Sequence, residues 1–266
     1  MAKRDYPVFY CDEQEDDFDR GHIRTDVYGR VVIKRTGFFG LCSFVFYYTI
    51  VVPALSFWMF LGGLHIKGRR NMRAVKKARR GYFIFANHAG VKDVTINYLL
   101  ALPNRLNTVG YSDAVDGLVL RYLVPALGFI PLPTDPHKTP EFVEALRFYL
   151  EDRHQPVCIY PEAHLWPQYT GIRNFKRASF RYPPYFNVPV VPVFYARRKR
   201  KGLWRLLKQP RITCLVGQPI YPDPALDNKA NAQKMGDACY AALLALSQAI
   251  PQEDYRHYVY RPLHKE

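Results

Sequence analysis

Apolar positions in this chain cluster into short runs separated by stretches of helical spacing. Tyr82–Ala86, Arg105–Val109, Val157–Tyr160, Val188–Tyr195 and Arg211–Val216 are brief and rich in β-branched or aromatic residues. Such runs predict buried strands. Helical stretches fall between them: Asp93 to about Leu102, Asp113–Ala126, Thr139 to about Arg153, and Ile172–Phe180. Pro140, Glu141 and Glu144 suit the start of the third. A last helix, roughly Asn228–Ile250, carries Met235, Cys239, Leu243 and Leu246 as a stripe for core packing. Tyr28–Ile33 reads as one more short strand. Phe129–Pro133 is too rich in proline for a central strand and predicts an edge or a rigid loop. Alternation of strands and helices predicts an α/β fold, a mixed central sheet flanked by helices.

One stretch breaks this rhythm. From Thr36 to Ile66 there is no Asp, Glu, Lys or Arg, and aromatic residues are dense. A single crossing of a bilayer needs about 20 apolar residues, so this run is long enough. Pro53 near its middle and Gly62-Gly63 near its end leave two readings: one kinked spanning helix, or a re-entrant helical hairpin. The expected organisation is a polar segment over 1–35, a membrane anchor over 36–66, an α/β domain over 67–250 and a tail over 251–266.

Charge sharpens this picture. The net charge is +15, which calls for an anionic partner. Lys34 and Arg35 precede the apolar stretch. Lys67, Arg69, Arg70, Arg73, Lys76, Lys77, Arg79 and Arg80 follow it. Beside so apolar a neighbour, the cluster argues for anionic membrane lipid rather than nucleic acid. If the chain crosses, the positive-inside tendency puts the following domain on the cytoplasmic face. A second basic run, Arg197–Lys201, is either a plain basic turn or a lipid or polyphosphate contact. The five cysteines form no CxxC pair and predict reduced, mostly buried thiols.

The candidate chemistry lies in Asn87-His88-Ala89-Gly90-Val91-Lys92-Asp93, where the first core strand gives way to a helix. A neutral histidine can take a proton near physiological pH, and an aspartate can fix its tautomer. On a regular helix, residues five apart diverge by about 140°; they meet only if the backbone turns between them, and Gly90 permits that turn. No serine or cysteine nucleophile stands beside His88. No GxSxG elbow, phosphate-binding glycine loop or HExxH pair occurs. Direct activation of a substrate hydroxyl is therefore favoured over a covalent enzyme intermediate. His88, Asp93, Glu162 and His164 also have the donor types of a metal site, but sequence positions do not show convergence.

With these residues in view, the chain resembles the 1-acylglycerol-3-phosphate acyltransferase family of PlsC-like glycerolipid acyltransferases. Asn87-His88 with Asp93 matches its asparagine-histidine-x4-aspartate motif. Tyr160-Pro161-Glu162 stands where the family carries a phenylalanine-proline-glutamate-glycine-threonine-arginine block. Val188–Val193 matches a later proline-containing apolar block, and Gly128-Phe129-Ile130 weakly matches another. The resemblance implies transfer of a fatty acyl group from an acyl thioester, acyl-CoA or acyl-carrier protein, to the free hydroxyl of a lysophospholipid. The implied acceptor is 1-acylglycerol 3-phosphate and the product phosphatidic acid. His88 would be the general base and Asp93 its orienting acid, with no cofactor beyond the thioester co-substrate. Asn87, Glu162 and His164 fall to the acceptor side. Ala163, His164 and Leu165 replace the family's glycine, threonine and arginine. Arg173, Lys176 and Arg177 are then the candidates for holding the phosphate. The departures keep two other readings open: transfer to another lysophospholipid or glycerol phosphate, and a non-catalytic membrane scaffold.

Overall fold

The computed structural model describes residues 8–10, 27–115, 117–163, 165–200, 202, 210–254 and 258–260. In chain order its strands are β1 (Val8–Tyr10), β2 (His65–Lys67), β3 (Phe83–Ala86), β4 (Asn107–Gly110), β5 (Phe129–Pro131), β6 (Val157–Ile159), β7 (Val190–Arg198), β8 (Arg211–Val216) and β9 (Tyr258–Tyr260). The helices are α1 (Gly37–Phe46), α2 (Val52–Leu61), α3 (Asn71–Lys77), α4 (Val91–Ala101), α5 (Leu120–Ala126), α6 (Thr139–Arg147), α7 (Tyr182–Tyr185) and α8 (Asn228–Gln248).

Seven strands form one sheet in the order β2-β8-β7-β3-β6-β4-β5. All neighbours run parallel except β7 and β8, so the sheet is mixed. β1 pairs with β9 in a separate ribbon. Side chains alternate across the sheet, as the period of two requires. Phe83 and Phe85 of β3 join Val190 and Phe194 of β7 in a core that also holds Phe142 of α6 and Met235 of α8. Ile84 and Ala86 join Val191, Val193 and Tyr195 in a second core with Met72 of α3, Ile96 of α4 and Tyr47. Both faces are covered, which is why the central strands read as continuous apolar runs.

The Thr36–Ile66 stretch contains one continuous helix over Gly37–Leu61 rather than a hairpin. Between α1 and α2 lies a wide π turn, Tyr47–Val51, just before Pro53. Pro53 has no N–H to donate, and its ring crowds the preceding turn; widening the helix there accommodates it without a break. This is the helix among the described residues that is long and apolar enough to cross a membrane. It nevertheless lies along the domain. Ser43 Oγ donates to the Ala126 carbonyl (2.8 Å) and Tyr48 to that of Pro103 (2.6 Å). Past its end, Arg200 and Arg211 donate to the Gly62 and Gly63 carbonyls (both 2.9 Å). The outward stripe, including Phe38, Leu41, Phe44, Ile50, Phe57 and Phe60, is exposed.

Four local expectations are corrected. Tyr28–Ile33 is a turn, not a strand, because Gly29 at φ +83° reverses the chain. Asp113–Ala126 is broken at Gly117 (φ +116°), leaving a short 3-10 turn before α5. Ile172–Phe180 is irregular as far as Lys176, and then a 3-10 turn covers Arg177–Arg181. Arg197 and Arg198 of the supposed basic turn belong to β7. The edge placement of the Phe129–Pro133 stretch holds, since among the described residues β5 pairs with β4 alone, at the end of the sheet. The sheet begins at β2, which overlaps the end of the expected anchor segment.

Candidate active site

β3 and β6 are neighbours, and their chains leave the sheet toward opposite faces. β3 feeds α4, which packs in the second core; β6 leads to Phe180 and Phe186 in the first. A crevice opens at such a point, beyond the carboxyl ends of the strands. His88 and Glu162 both stand there.

Asp93 occupies the third position of α4, with Gly90 as N-cap. Its carboxylate turns back along the chain. Oδ2 accepts from the backbone N–H groups of Ala89 (2.7 Å) and Gly90 (2.6 Å), and Oδ1 faces Arg197 Nη2 at 3.5 Å. The side chain is fully buried. This reversal is what lets a residue five positions on meet the histidine: His88 Nδ1 lies 3.7 Å from Asp93 Oδ2. That nitrogen is buried and makes no hydrogen bond, so a modest ring rotation would form the direct contact. The imidazole stacks on Tyr160, with ring centroids 4.1 Å apart and planes 22° apart. About 19% of the His88 side chain remains exposed. The expected turn at Gly90 is not seen: its backbone is extended (φ −179°, ψ 155°), a conformation open to any residue, and a Cβ there would sit 3.2 Å from Arg197 Nη2, which would have to give slightly.

Glu162 is almost fully buried and ties the two loops together. Oε2 accepts from the His88 backbone N–H and Oε1 from that of Arg173, both at 3.3 Å. Burial pushes its pKa up to about 8, with the two backbone donors acting against the shift. Asn87 is also buried, and its Oδ1 accepts from the Tyr195 N–H at 2.8 Å. It fastens the end of β3 to β7 rather than facing a ligand.

His88 lines a cavity of about 620 Å³. Its walls come from the long apolar helix (Val51 and Leu55), from α4 (Val94 and Tyr98) and from the strands β5 and β6 (Phe129 and Ile159). The size suits a drug-sized or lipid-sized ligand, for which cavities of about 300–1,000 Å³ are usual. Lys176 is the lysine on its wall, and its backbone N–H is held by the Pro161 carbonyl at 2.7 Å. Arg173 lies beside this region, with its guanidinium 3.9 Å over the Trp166 ring; the Trp166 N–H donates to the His88 carbonyl at 3.3 Å. Arg177 is not brought to the cavity. It is exposed and pairs with Asp237 of α8 at 3.1 Å. His164 lies outside the described residues. Among the described residues, no group of three or more His, Cys, Asp or Glu is arranged to hold a metal ion.

Arg197 is a residue of the candidate site that the sequence offered only as part of the basic run Arg197–Lys201. It is 2% exposed and stands behind Asp93. The signal was present in the strand period: Val191, Val193 and Tyr195 face α4, and position 197 continues that face. Its place in a basic run disguised it.

A buried carboxylate behind a partly exposed histidine, on the wall of a largely apolar cavity in an α/β sheet, is an arrangement able to take a proton from a hydroxyl bound there. The comparisons give the family. The acyltransferase family model matches residues 55–196, more than half of the chain, and the chain belongs to that family. The chain is similar in fold to the 1-acyl-sn-glycerophosphate (LPA) acyltransferase PlsC from Thermotoga maritima, at a TM-score of 0.53 and 15% identity. That likeness covers 86% of this chain and 91% of that one. A comparison with curated protein sequences finds no match.

Proposed function

We propose that this enzyme transfers a fatty acyl group from an acyl thioester to the free hydroxyl of a lysophospholipid, with 1-acylglycerol 3-phosphate as the leading acceptor. The observation that carries the reading is the His88–Asp93 pair opening onto a largely apolar cavity. His88 removes the hydroxyl proton through Nε2 while the oxygen attacks the thioester carbonyl. The tetrahedral intermediate then collapses, the carbon–sulfur bond breaks, and the departing thiolate takes up the proton from His88. Asp93 holds the ring orientation and offsets the charge that the ring acquires. Asp93 is in turn fixed by two backbone donors and Arg197, so it does not have to reorganise during the reaction.

The apolar walls hold acyl chain, each buried methylene contributing roughly 0.8 kcal/mol. Lys176 and Arg173 are the proposed phosphate ligands; Glu162 positions the His88 loop and does not contact the acceptor phosphate. The donor is acyl-CoA or acyl-carrier protein, both of which are anionic and suit the basic surface.

The reading also needs a membrane, since both the acceptor and the product are lipids. The outward stripe of the helix Gly37–Leu61 is apolar, and the neighbouring Leu118, Val119, Leu120, Tyr122 and Leu123 are exposed beside it. α5 packs on α1, so these surfaces are continuous. A helix fastened to its domain near both ends suits lying in the interface more than crossing. The basic residues of α3 and its flanks would then face the anionic cytoplasmic leaflet.

The test is direct. Purified full-length protein is mixed with an acyl-CoA or acyl-carrier protein and lysophosphatidic acid. Thiol release and phosphatidic acid should appear together. Lipid binding without thiol release would instead favour a scaffold.

A further inference from the structure

Three arginines gather at the start of the long apolar helix, around a cavity of about 250 Å³ lined by Arg35, Arg105, Arg153, Leu41, Phe44 and Tyr149. The cavity lies away from His88. Asn107 begins β4 and Gln155 precedes β6, whereas His88 follows the end of β3, and these three strands run parallel. The two sites are therefore at opposite ends of the sheet.

Arg35 and Arg105 are only 6% and 5% exposed. Arg35 donates to the Pro125 carbonyl (3.1 Å) and to Asn107 Oδ1, and its guanidinium stacks 4.5 Å from the Tyr149 ring. Arg105 donates through Nη2 to Ser43 Oγ and the Ala126 carbonyl, both at 2.8 Å. Its Nε is buried and has no hydrogen-bond partner. Arg153, which is exposed, leans over Phe148 at 5.0 Å. Among the described residues, no carboxylate forms an ion pair with any of the three.

Two electrostatic costs meet here. Buried like charges without a counter-ion are costly to hold. They also stand at the positive end of a helix dipole. Thr36, the N-cap, makes no side-chain bond to the free amides, and the first turn has no acidic residue. The other end of the same helix is arranged the opposite way: Arg200 and Arg211 donate to the carbonyls just past its end, where cations are favourable. Burial, and then the charge of Arg35, lowers the Arg105 pKa to about 10. An anion in the cavity would relieve all of these costs together.

We propose that this cavity binds the phosphate group of an anionic phospholipid, held by Arg35, Arg105, Arg153 and the first-turn amides of α1. The lipid source follows from the surroundings. Leu41 and Phe44 line the same cavity, and with Phe38 they continue outward as the exposed apolar stripe. A phosphate at the arginines would leave its acyl chains on that stripe. The site would fix the enzyme's depth and rotation at the membrane, separately from acyl transfer.

The experiment measures binding of the full chain to phosphatidylcholine vesicles with and without phosphatidylglycerol, a lipid that is neither acceptor nor product in the reading above. Arg153→Gln is compared with Lys229→Gln, which removes one exposed charge from α8. Losing a charge-assisted phosphate contact should weaken binding to the phosphatidylglycerol vesicles by about five- to tenfold. K229Q should change it by less than about twofold, as a diffuse surface charge does. A melting scan in inorganic phosphate against chloride, at equal ionic strength, separates the sources. Loss of vesicle affinity in R153Q supports the site whether or not phosphate alone raises the wild-type melting temperature. A phosphate-induced rise that R153Q abolishes, with unchanged vesicle affinity, overturns the lipid assignment in favour of a free anion. Equal effects of R153Q and K229Q in both assays overturn the site altogether. The same outcomes are expected in a His88→Ala background, so failure of acyl transfer would not be mistaken for failure here.

Discussion

At the exit of β3, the residues of the candidate site are held from several sides: Asn87 by the Tyr195 amide, Asp93 by the amides of Ala89 and Gly90 and by Arg197, and the His88 ring by Tyr160. At the exit of β6, the chain from Ala163 to Lys176 has neither helix nor strand among its described residues. It is held by separate backbone contacts, such as Gln168 N–H to the Ala89 carbonyl (2.7 Å) and Arg173 N–H to Glu162. The first loop is fixed by buried polar groups whose removal exposes an unmet charge. The second is an irregular surface on which cations can be moved with little effect on the core. In this account catalysis belongs to the first and choice of acceptor to the second. That division is also where the sequence departs from its family: the β3 loop keeps the motif, and the β6 loop has lost its glycine, threonine and arginine.

The comparison breaks most visibly at Asp93. D93A would leave Arg197 buried without its carboxylate and two amides without an acceptor. Removing one partner of a buried pair costs about 3–5 kcal/mol, which urea unfolding would register, and acyl transfer should vanish with it. Arg197→Met tests the same loop more gently. It should lower kcat by roughly ten- to a hundredfold, the scale seen when a supporting group behind a first ligand is lost, while leaving KM for the acceptor nearly unchanged.

On the β6 side, Lys176→Ala should do the reverse. It should raise KM for a phosphorylated acceptor by about tenfold, the loss of one charge-assisted contact, with kcat largely kept. Arg177→Ala should change neither, and its exposed pair with Asp237 is worth less than about 1 kcal/mol.

Glu162 joins the two loops and gives a pH signature. Its folded pKa is raised from 4.5 to about 8. The folded state therefore holds the proton more tightly than the unfolded chain between those values. The stability due to the neutral carboxyl is fully present below about pH 4.5 and is lost as pH rises through about 8. Melting temperatures across that window should fall with pH, and Glu162→Gln should flatten the profile. The smallest effect concerns Ala163, whose φ is +64°. A163G relieves the left-handed strain but adds freedom to the unfolded chain, so a net gain of about 0.5–1 kcal/mol is expected. A calorimetric scan resolves it.

The two loops were unequally legible in the sequence. His88 and Asp93 could be read because the pair sits at a fixed spacing where a strand gives way to a helix, although the chain bends at Ala89 and Gly90 itself is extended. The strands around them could be read because a doubly covered sheet leaves continuous apolar runs. Arg197 was hidden because composition reports charge and not its partner. The expected helix at 172–180 failed for a related reason: the Arg173 and Lys176 amides are taken by Glu162 and Pro161, contacts from far back in the chain. At 36–66 the sequence left one helix or a hairpin open, because Pro53 can end a helix or be absorbed by a wider turn; here the π turn absorbs it.

The central claim is that His88 is the base for acyl transfer. The most direct measurement compares wild type and His88→Ala, matched in melting temperature, for thiol release from an acyl thioester in the presence of lysophosphatidic acid. The account predicts that H88A binds lipid vesicles as wild type does, yet releases thiol at no more than about a thousandth of the wild-type rate, the scale of a lost general base. Thiol release and phosphatidic acid formation at near wild-type rates in H88A would contradict it.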